Sequence, residues 1–86
     1  MKYEINIPEY DPKKGLRLEW EDGFRILTTV DNTGTIIIKA NSSGLISLAR
    51  HLLLLAQVST PSGHHTHLDA SNSLEDGSIE LILERE

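Results

Sequence analysis

Three side chains in the run HHTHLD have the types and spacing that could carry chemistry. His65, His67 and Asp69 are each two residues apart, and in a strand such residues point to the same side. Two imidazoles and a carboxylate are the ligand types of a catalytic zinc or non-haem iron site. Positions i and i+4 of a strand are roughly 13 Å apart, so a metal at His65 and His67 would need a ligand from elsewhere, such as Glu80 or His51.

The same run also has an ordinary interpretation as polar strand residues. One imidazole can bond to the backbone and pack against a helix while another faces water. The sequence has no cysteine, so a metal site could be built from His and carboxylates alone. We expect no cofactor and no resident metal; if a metal binds, His65 and His67 are its ligands.

An imidazole held by a carboxylate is also a component of acid–base catalysis. His67 beside Asp69 could form such a pair, and the hydroxyls that could serve it as a nucleophile are Ser59, Thr60, Ser62, Ser71 and Ser73. None lies in a recognised nucleophile elbow, and the chain has no GxGxxG, GxxxxGK or HExxH motif. We therefore expect that the protein is not an enzyme.

Acidic residues are concentrated at the end of the chain. The 86 residues include 13 Asp and Glu against 8 Lys and Arg, a net charge of −5, and residues 75–86 contribute −4 of it. This balance disfavours sequence-independent nucleic-acid binding, which needs a basic face. No apolar run approaches the ~20 residues of a membrane span, and the first ten residues lack the apolar stretch of a signal peptide. We expect a cytoplasmic protein.

The elements that would position these residues can be read from hydrophobic periodicity. Alternating residues and β-branched apolar runs predict strands near residues 3–7, 16–20, 24–30, 35–40, 64–69 and 79–84. Asn41 or Ser42 can cap a helix that begins before Leu45 and ends before Pro61. One helix with five to six strands predicts a single α+β domain over residues 1–86, a two-layer sandwich with the helix packed on a mostly antiparallel sheet.

The helix has an apolar arc of about half its circumference. Leu45, Ala49, Leu52 and Ala56 lie on one line at 100° per residue. Leu48 and Leu55 flank this line on one side and Ile46 and Leu53 on the other, and the whole arc is expected to face the sheet. Leu54 lies opposite and is expected at the surface, where an apolar side chain can mark a partner site. The alternative is that a loop or the N-terminal segment covers it.

The last strand carries the acidic end. Glu80 and Glu84 lie on one face of it, and Glu86 continues the line. Charges on an edge strand block unwanted pairing, whereas a functional reading is that they steer a basic protein partner.

The second half of the chain resembles a known family. The runs GLISLARHLLLLAQ (44–57), HTHLD (65–69) and GSIELILE (77–84) are similar to those of the Imm32-type bacterial immunity proteins, in which a G-L-x-x-L-A helix precedes an H-x-H-L strand and a final S-x-E-L-I segment. The resemblance covers residues 35–84. It implies a binding role in the bacterial cytoplasm and transfers no catalytic or toxin-contact residue.

The leading hypothesis is therefore a small acidic binding protein that neutralises a toxin by occluding its functional surface. The partner, a cognate toxin, would be bound by His65, His67, Asp69, Glu80, Glu84 and Leu54. Two alternatives remain open: a metal-binding or metal-dependent hydrolase domain centred on His65 and His67, and a structural homodimer through the Leu54 face or an exposed strand edge. We expect no nucleic-acid or membrane partner, and either a monomer or a homodimer.

Overall fold

A computed structural model describes all 86 residues. The chain forms β1 (Ile26–Val30), β2 (Ile36–Ala40), α1 (Ser42–Ala56), β3 (His65–Leu68) and β4 (Leu81–Glu84). β1 pairs antiparallel with β2, and β3 pairs antiparallel with β4, so there are two small sheets of two strands each. The α+β class is confirmed, whereas the prediction of one sheet with five to six strands is wrong.

The missing strands lie in the first 25 residues. Segments 3–7 and 16–20 form no strand, and two of their carbonyls, those of Asn6 and Glu19, bond to the helix side chains of Arg50 and His51. Gln57 receives the Tyr10 N–H at 2.9 Å and donates to the Pro8 carbonyl at 2.7 Å, and the Glu21 N–H donates to Ser47 Oγ at 2.9 Å. Alternating apolar and polar residues predict which side chains share one face of a strand, but they do not show that a second strand is available to pair with it.

The segment 75–79 links the two sheets. The N–H groups of Glu75 and Ile79 donate to the carbonyls of Ile26 and Thr28, each at 2.8 Å, on the edge of β1 that β2 leaves free. The chain then continues directly into β4. β1 is therefore hydrogen-bonded on both sides, and residues 75–79 connect it to β4 of the second sheet.

The start of α1 is determined by Asn41. Its Oδ1 accepts from the Gly44 N–H at 2.8 Å, which makes it the N-cap. The same oxygen accepts from the Arg25 N–H, and Nδ2 donates to the Gly23 carbonyl. The Asn41 side chain thus fixes both the first turn of α1 and the backbone of residues 23–25, which lead into β1.

The core joins residues from β1, α1, β3 and the loop that follows β3. Ile26, Leu48, Leu68 and Leu74 form a buried cluster. Trp20 and Phe24 pack on it with their rings stacked at a centroid distance of 4.4 Å. The helix therefore contacts both sheets through the face that contains Leu48.

The buried face of α1 differs from the predicted one. The buried helix residues are Gly44, Ser47, Leu48, His51, Leu54 and Leu55, whereas Leu45 and Leu52 are 54% and 53% exposed. The reason is the N-terminal segment, whose backbone groups need hydrogen bonds. Ser47 and His51 provide them to Glu21 and Glu19, so the polar side of the helix faces inward. No helix in this fold has the length and apolar content needed to cross a membrane.

Candidate functional site

The outer side of the β3–β4 hairpin carries the predicted histidines. Thr66 and Leu68 point into the core, whereas His65 and His67 are exposed, with side chains 44% and 49% accessible. Their rings lie edge to face with centroids 5.0 Å apart. The prediction that these two imidazoles share one face of a strand is confirmed.

The acidic residues of β4 lie on the same side. The register places His65 opposite Glu84 and His67 opposite Ile82. His65 Nδ1 is 3.8 Å from Glu84 Oε1, and His67 Nδ1 is 3.5 Å from Glu80 Oε1. The histidine strand and the acidic strand, which the sequence suggested separately, therefore form one surface. We call His65, His67, Glu80, Ile82 and Glu84 the acidic face.

The acidic face contributes little to holding the fold together. Both carboxylates are more than half accessible, and exposed ion pairs contribute about 0–1 kcal/mol. His65 Nδ1 also donates to the Gly63 carbonyl at 2.9 Å, which holds this ring in place. Ile82, 47% exposed, lies between the two carboxylates. An apolar centre with a charged rim is the arrangement found at protein–protein interfaces.

Asp69 makes its hydrogen bonds within the following turn and none with the histidines, although the charge of His67 also acts on it. Its Oδ1 accepts hydrogen bonds from the Ser71 hydroxyl at 2.7 Å, the Ser71 N–H at 2.9 Å and the Asn72 N–H at 3.1 Å. These hydrogen bonds hold the pKa of the Asp69 carboxyl below its ordinary value, and the bond from the Ser71 hydroxyl has the largest effect. The carboxylate organises the turn after β3, which is where the strand ends.

Leu54 is buried and is not part of a surface. Only 1% of it is exposed, and its carbonyl accepts from the Thr60 hydroxyl. The expectation of an exposed Leu54 is wrong because the helix is rotated relative to the predicted orientation. The exposed apolar helix residues are Leu45, Leu52 and Leu53.

A groove beside the acidic face follows from this rotation. It lies between the C-terminal half of α1 and β4, has a volume of about 400 Å³, and is lined by Leu52, Leu55, Ala56, Ile82 and Leu83 with Glu84, Arg85 and Glu86 at its margin. The sequence reasoning missed it because it assigned Leu52 and Ala56 to the core. The exposed Ile82 on the outer face of the last strand was the available signal.

Glu84 and Glu80 lie beside His65 and His67, but these side chains do not come together as a set of three metal ligands. No group of three or more His, Cys, Asp or Glu side chains could hold a metal ion. His51, considered above as a ligand, is 1% exposed and bonds through Nε2 to the Glu19 carbonyl. The metal-binding alternative stays a prediction that rests on His65 and His67 alone.

Comparison with known proteins gives one match. A family model described as Immunity protein 32 matches residues 35–86, which include β2, α1, β3, β4 and all of the acidic face. No curated protein and no solved structure gives a significant match to the chain.

Proposed function

Since the chain belongs to the Immunity protein 32 family, we propose that it neutralises a toxin by binding it and covering the toxin's functional surface. The observation that carries this proposal is the acidic face. It lies within the matched residues, and its exposed carboxylates make only weak contacts inside the chain.

The partner surface that fits the acidic face is basic, with an apolar pocket or ridge at its centre. Glu80 and Glu84 lie on either side of Ile82 along β4, and Glu86 continues the negative charge to the groove margin. Negative potential on the face would speed the encounter with a cationic surface. Ile82 and the neighbouring groove would then supply the apolar contact.

Inhibition by covering needs no chemistry from this chain. Its groups have to match a toxin surface in shape and charge, and a stable protein–protein contact takes about 800 Å² from each partner. The hairpin face together with the α1–β4 groove provides a continuous surface for that contact, because Ile82 and Glu84 belong to both.

The test uses the protein encoded by the gene adjacent to this one in the source genome, the candidate toxin. Binding is measured by calorimetry for the wild type, for the double variant Glu80→Gln/Glu84→Gln, and for Glu4→Gln/Glu9→Gln, which removes the same charge from the exposed N-terminal segment. We expect the first double variant to weaken binding about 10-fold or more, which is about 1.4 kcal/mol, and the second to bind like the wild type. Equal weakening by both, or no binding of wild type, would contradict the proposal.

A further inference from the structure

The outer edge of β2 is open. Asp31 N–H donates to the Thr35 carbonyl and Asn41 N–H donates to the Arg25 carbonyl at the two ends of the β1–β2 ladder. In an antiparallel ladder the direction of the backbone groups alternates. Ile37 and Lys39 therefore bond to β1, while the N–H and C=O groups of Ile36 and Ile38 face outward.

The side chains along this edge are apolar. Ile36, Ile37 and Ile38 are 64%, 43% and 44% exposed, and they point alternately to the two sides of the sheet. Val30, the partner of Ile36 on β1, is 50% exposed as well. Soluble proteins normally protect such an edge with charges, a proline or a covering segment, and β2 has Lys39 as its one charged residue.

The charges around β2 suit a second copy of the same chain. Residues 31–41 contain one acidic residue, Asp31, and one basic residue, Lys39, in a chain of net charge −5. The acidic residues 75–86 lie outside this edge, so pairing of two copies through β2 does not bring their acidic ends into the contact. In an antiparallel arrangement the Lys39 end of each strand lies beside the Asp31 turn of the other, so opposite charges approach at both ends. Hydrogen bonds from the Thr33 hydroxyl and from the Thr33 and Thr35 N–H groups lower the pKa of the Asp31 carboxyl further below its ordinary value of 3.8.

We propose that β2 pairs with β2 of a second copy, antiparallel about a twofold axis at Ile37, to form one continuous sheet. In this register Ile36 of each copy lies opposite Ile38 of the other, and each such pair exchanges both backbone hydrogen bonds. Lys39 lies opposite Thr35 of the second copy, whose own cross-strand neighbour is Asp31. The edge shares no residue with the acidic face, so the dimer and toxin binding can be tested separately.

A single cysteine tests the register, because the natural chain has none. The twofold axis would make Ile37 a non-hydrogen-bonded pair with Cα atoms about 4.5 Å apart, which lies within the range for a disulfide. We expect the Ile37→Cys variant to form the disulfide-linked dimer at least ~10-fold faster than Thr29→Cys. Thr29 is the matched control, since it is the β1 partner of Ile37 on the same face.

Two measurements on uncross-linked protein complete the test. Sedimentation velocity should show a monomer–dimer equilibrium that Lys39→Asp weakens about 10-fold by placing like charges together, with Lys14→Asp in an exposed loop as the control. Amide exchange should protect Ile36 and Ile38 more strongly as concentration rises, and Ile37 equally at all concentrations. A monomer at every concentration with equal cross-linking of both cysteine variants overturns the proposal. Protection of Ile36 and Ile38 that requires added toxin also overturns it, and assigns the edge to an extended segment of the toxin.

Discussion

The imidazole of His51 stands edge-on against the indole of Trp20, with ring centroids 4.3 Å apart and ring planes at 88°. His51 Nε2 donates to the Glu19 carbonyl at 3.0 Å, while Nδ1 is buried without a partner. The neutral ring with its proton on Nε2 satisfies this bond, whereas protonating Nδ1 as well would bury an unpaired N–H. Burial accordingly lowers the pKa of His51 below its ordinary value of 6.5.

This histidine makes stability depend on pH. Above the ordinary pKa the ring is neutral in both the folded and the unfolded chain. As pH falls below about 6.5, the unfolded chain takes up a proton that the folded chain resists, so the free energy of unfolding should decrease by up to about 1.4 kcal/mol per pH unit. The decrease should stop once pH falls below the lowered pKa. Urea unfolding at a series of pH values from about 5 to 7.5 measures the slope.

Two variants identify the residue responsible. His51→Leu should flatten the slope in this pH range, and the exposed His65→Gln should keep it. If His51→Leu shows the slope of the wild type, another group is the source.

The side chain of Asn41 bonds to the helix start and to the segment before β1. We expect Asn41→Ala to reduce the free energy of unfolding by about 2 kcal/mol, because the helix cap and the bonds to Gly23 and Arg25 are lost together. Ser42→Ala, at the other residue that could have capped the helix, should stay within about 0.5 kcal/mol of the wild type. Comparable losses from the two substitutions would mean that Asn41 is not the cap. Chemical denaturation of both variants measures the difference.

Gly44 lies in close contact with the start of β1. A Cβ there would lie 2.5 Å from the Arg25 carbonyl oxygen and 2.9 Å from Ile26 Cγ1. Alanine favours a helix by about 1 kcal/mol over glycine, yet we expect Gly44→Ala to destabilise the fold by about 1–3 kcal/mol through overpacking. Ser43→Ala, one residue earlier, should be neutral or slightly stabilising. A stabilising Gly44→Ala in thermal or chemical unfolding would contradict this close packing.

The paired imidazoles of His65 and His67 allow a direct test of metal binding. Two ligands on an exposed face hold Zn²⁺ weakly compared with the three or four of a protein zinc site. We expect tag-free protein to contain metal well below one equivalent, and calorimetric titration with Zn²⁺ to give at most weak binding. Stoichiometric metal that His67→Ala removes would contradict this expectation and restore the metal-binding alternative.

The sequence predicts those parts of the fold that depend on residues close together in the chain, and it fails for those that depend on distant residues. The helix cap, β3 and β4 follow from neighbours a few residues apart, and their predicted positions are close to the observed ones. The buried face of α1 depends on Glu19 and Glu21, which precede the helix by more than 20 residues and whose backbone groups bond to His51 and Ser47. Helical periodicity therefore centred the buried face on Leu45 and Leu52, which are exposed, although Leu48 and Leu55 at one edge of the predicted arc are buried.

The candidate site also has features that neighbouring residues predict and features that depend on the pairing of distant strands. Alternation predicted the shared face of His65 and His67, and separately that of Glu80 and Glu84. That the two pairs meet depends on the β3–β4 register, which no local pattern contains. The role of Asp69 could have been found, because an Asp followed two residues later by a Ser and then an Asn is typical of a side-chain-capped turn.

The link between residues 75–79 and β1 has a consequence for synthesis of the protein. The carbonyls of Ile26 and Thr28 find their partners about fifty residues further along the chain, and contacts of such long range form slowly. A nascent chain that has just completed α1 still lacks one side of β1, together with Leu68 and Leu74 of the core. We expect folding to follow translation of β4, so that the chain becomes able to bind only once its acidic face has been made.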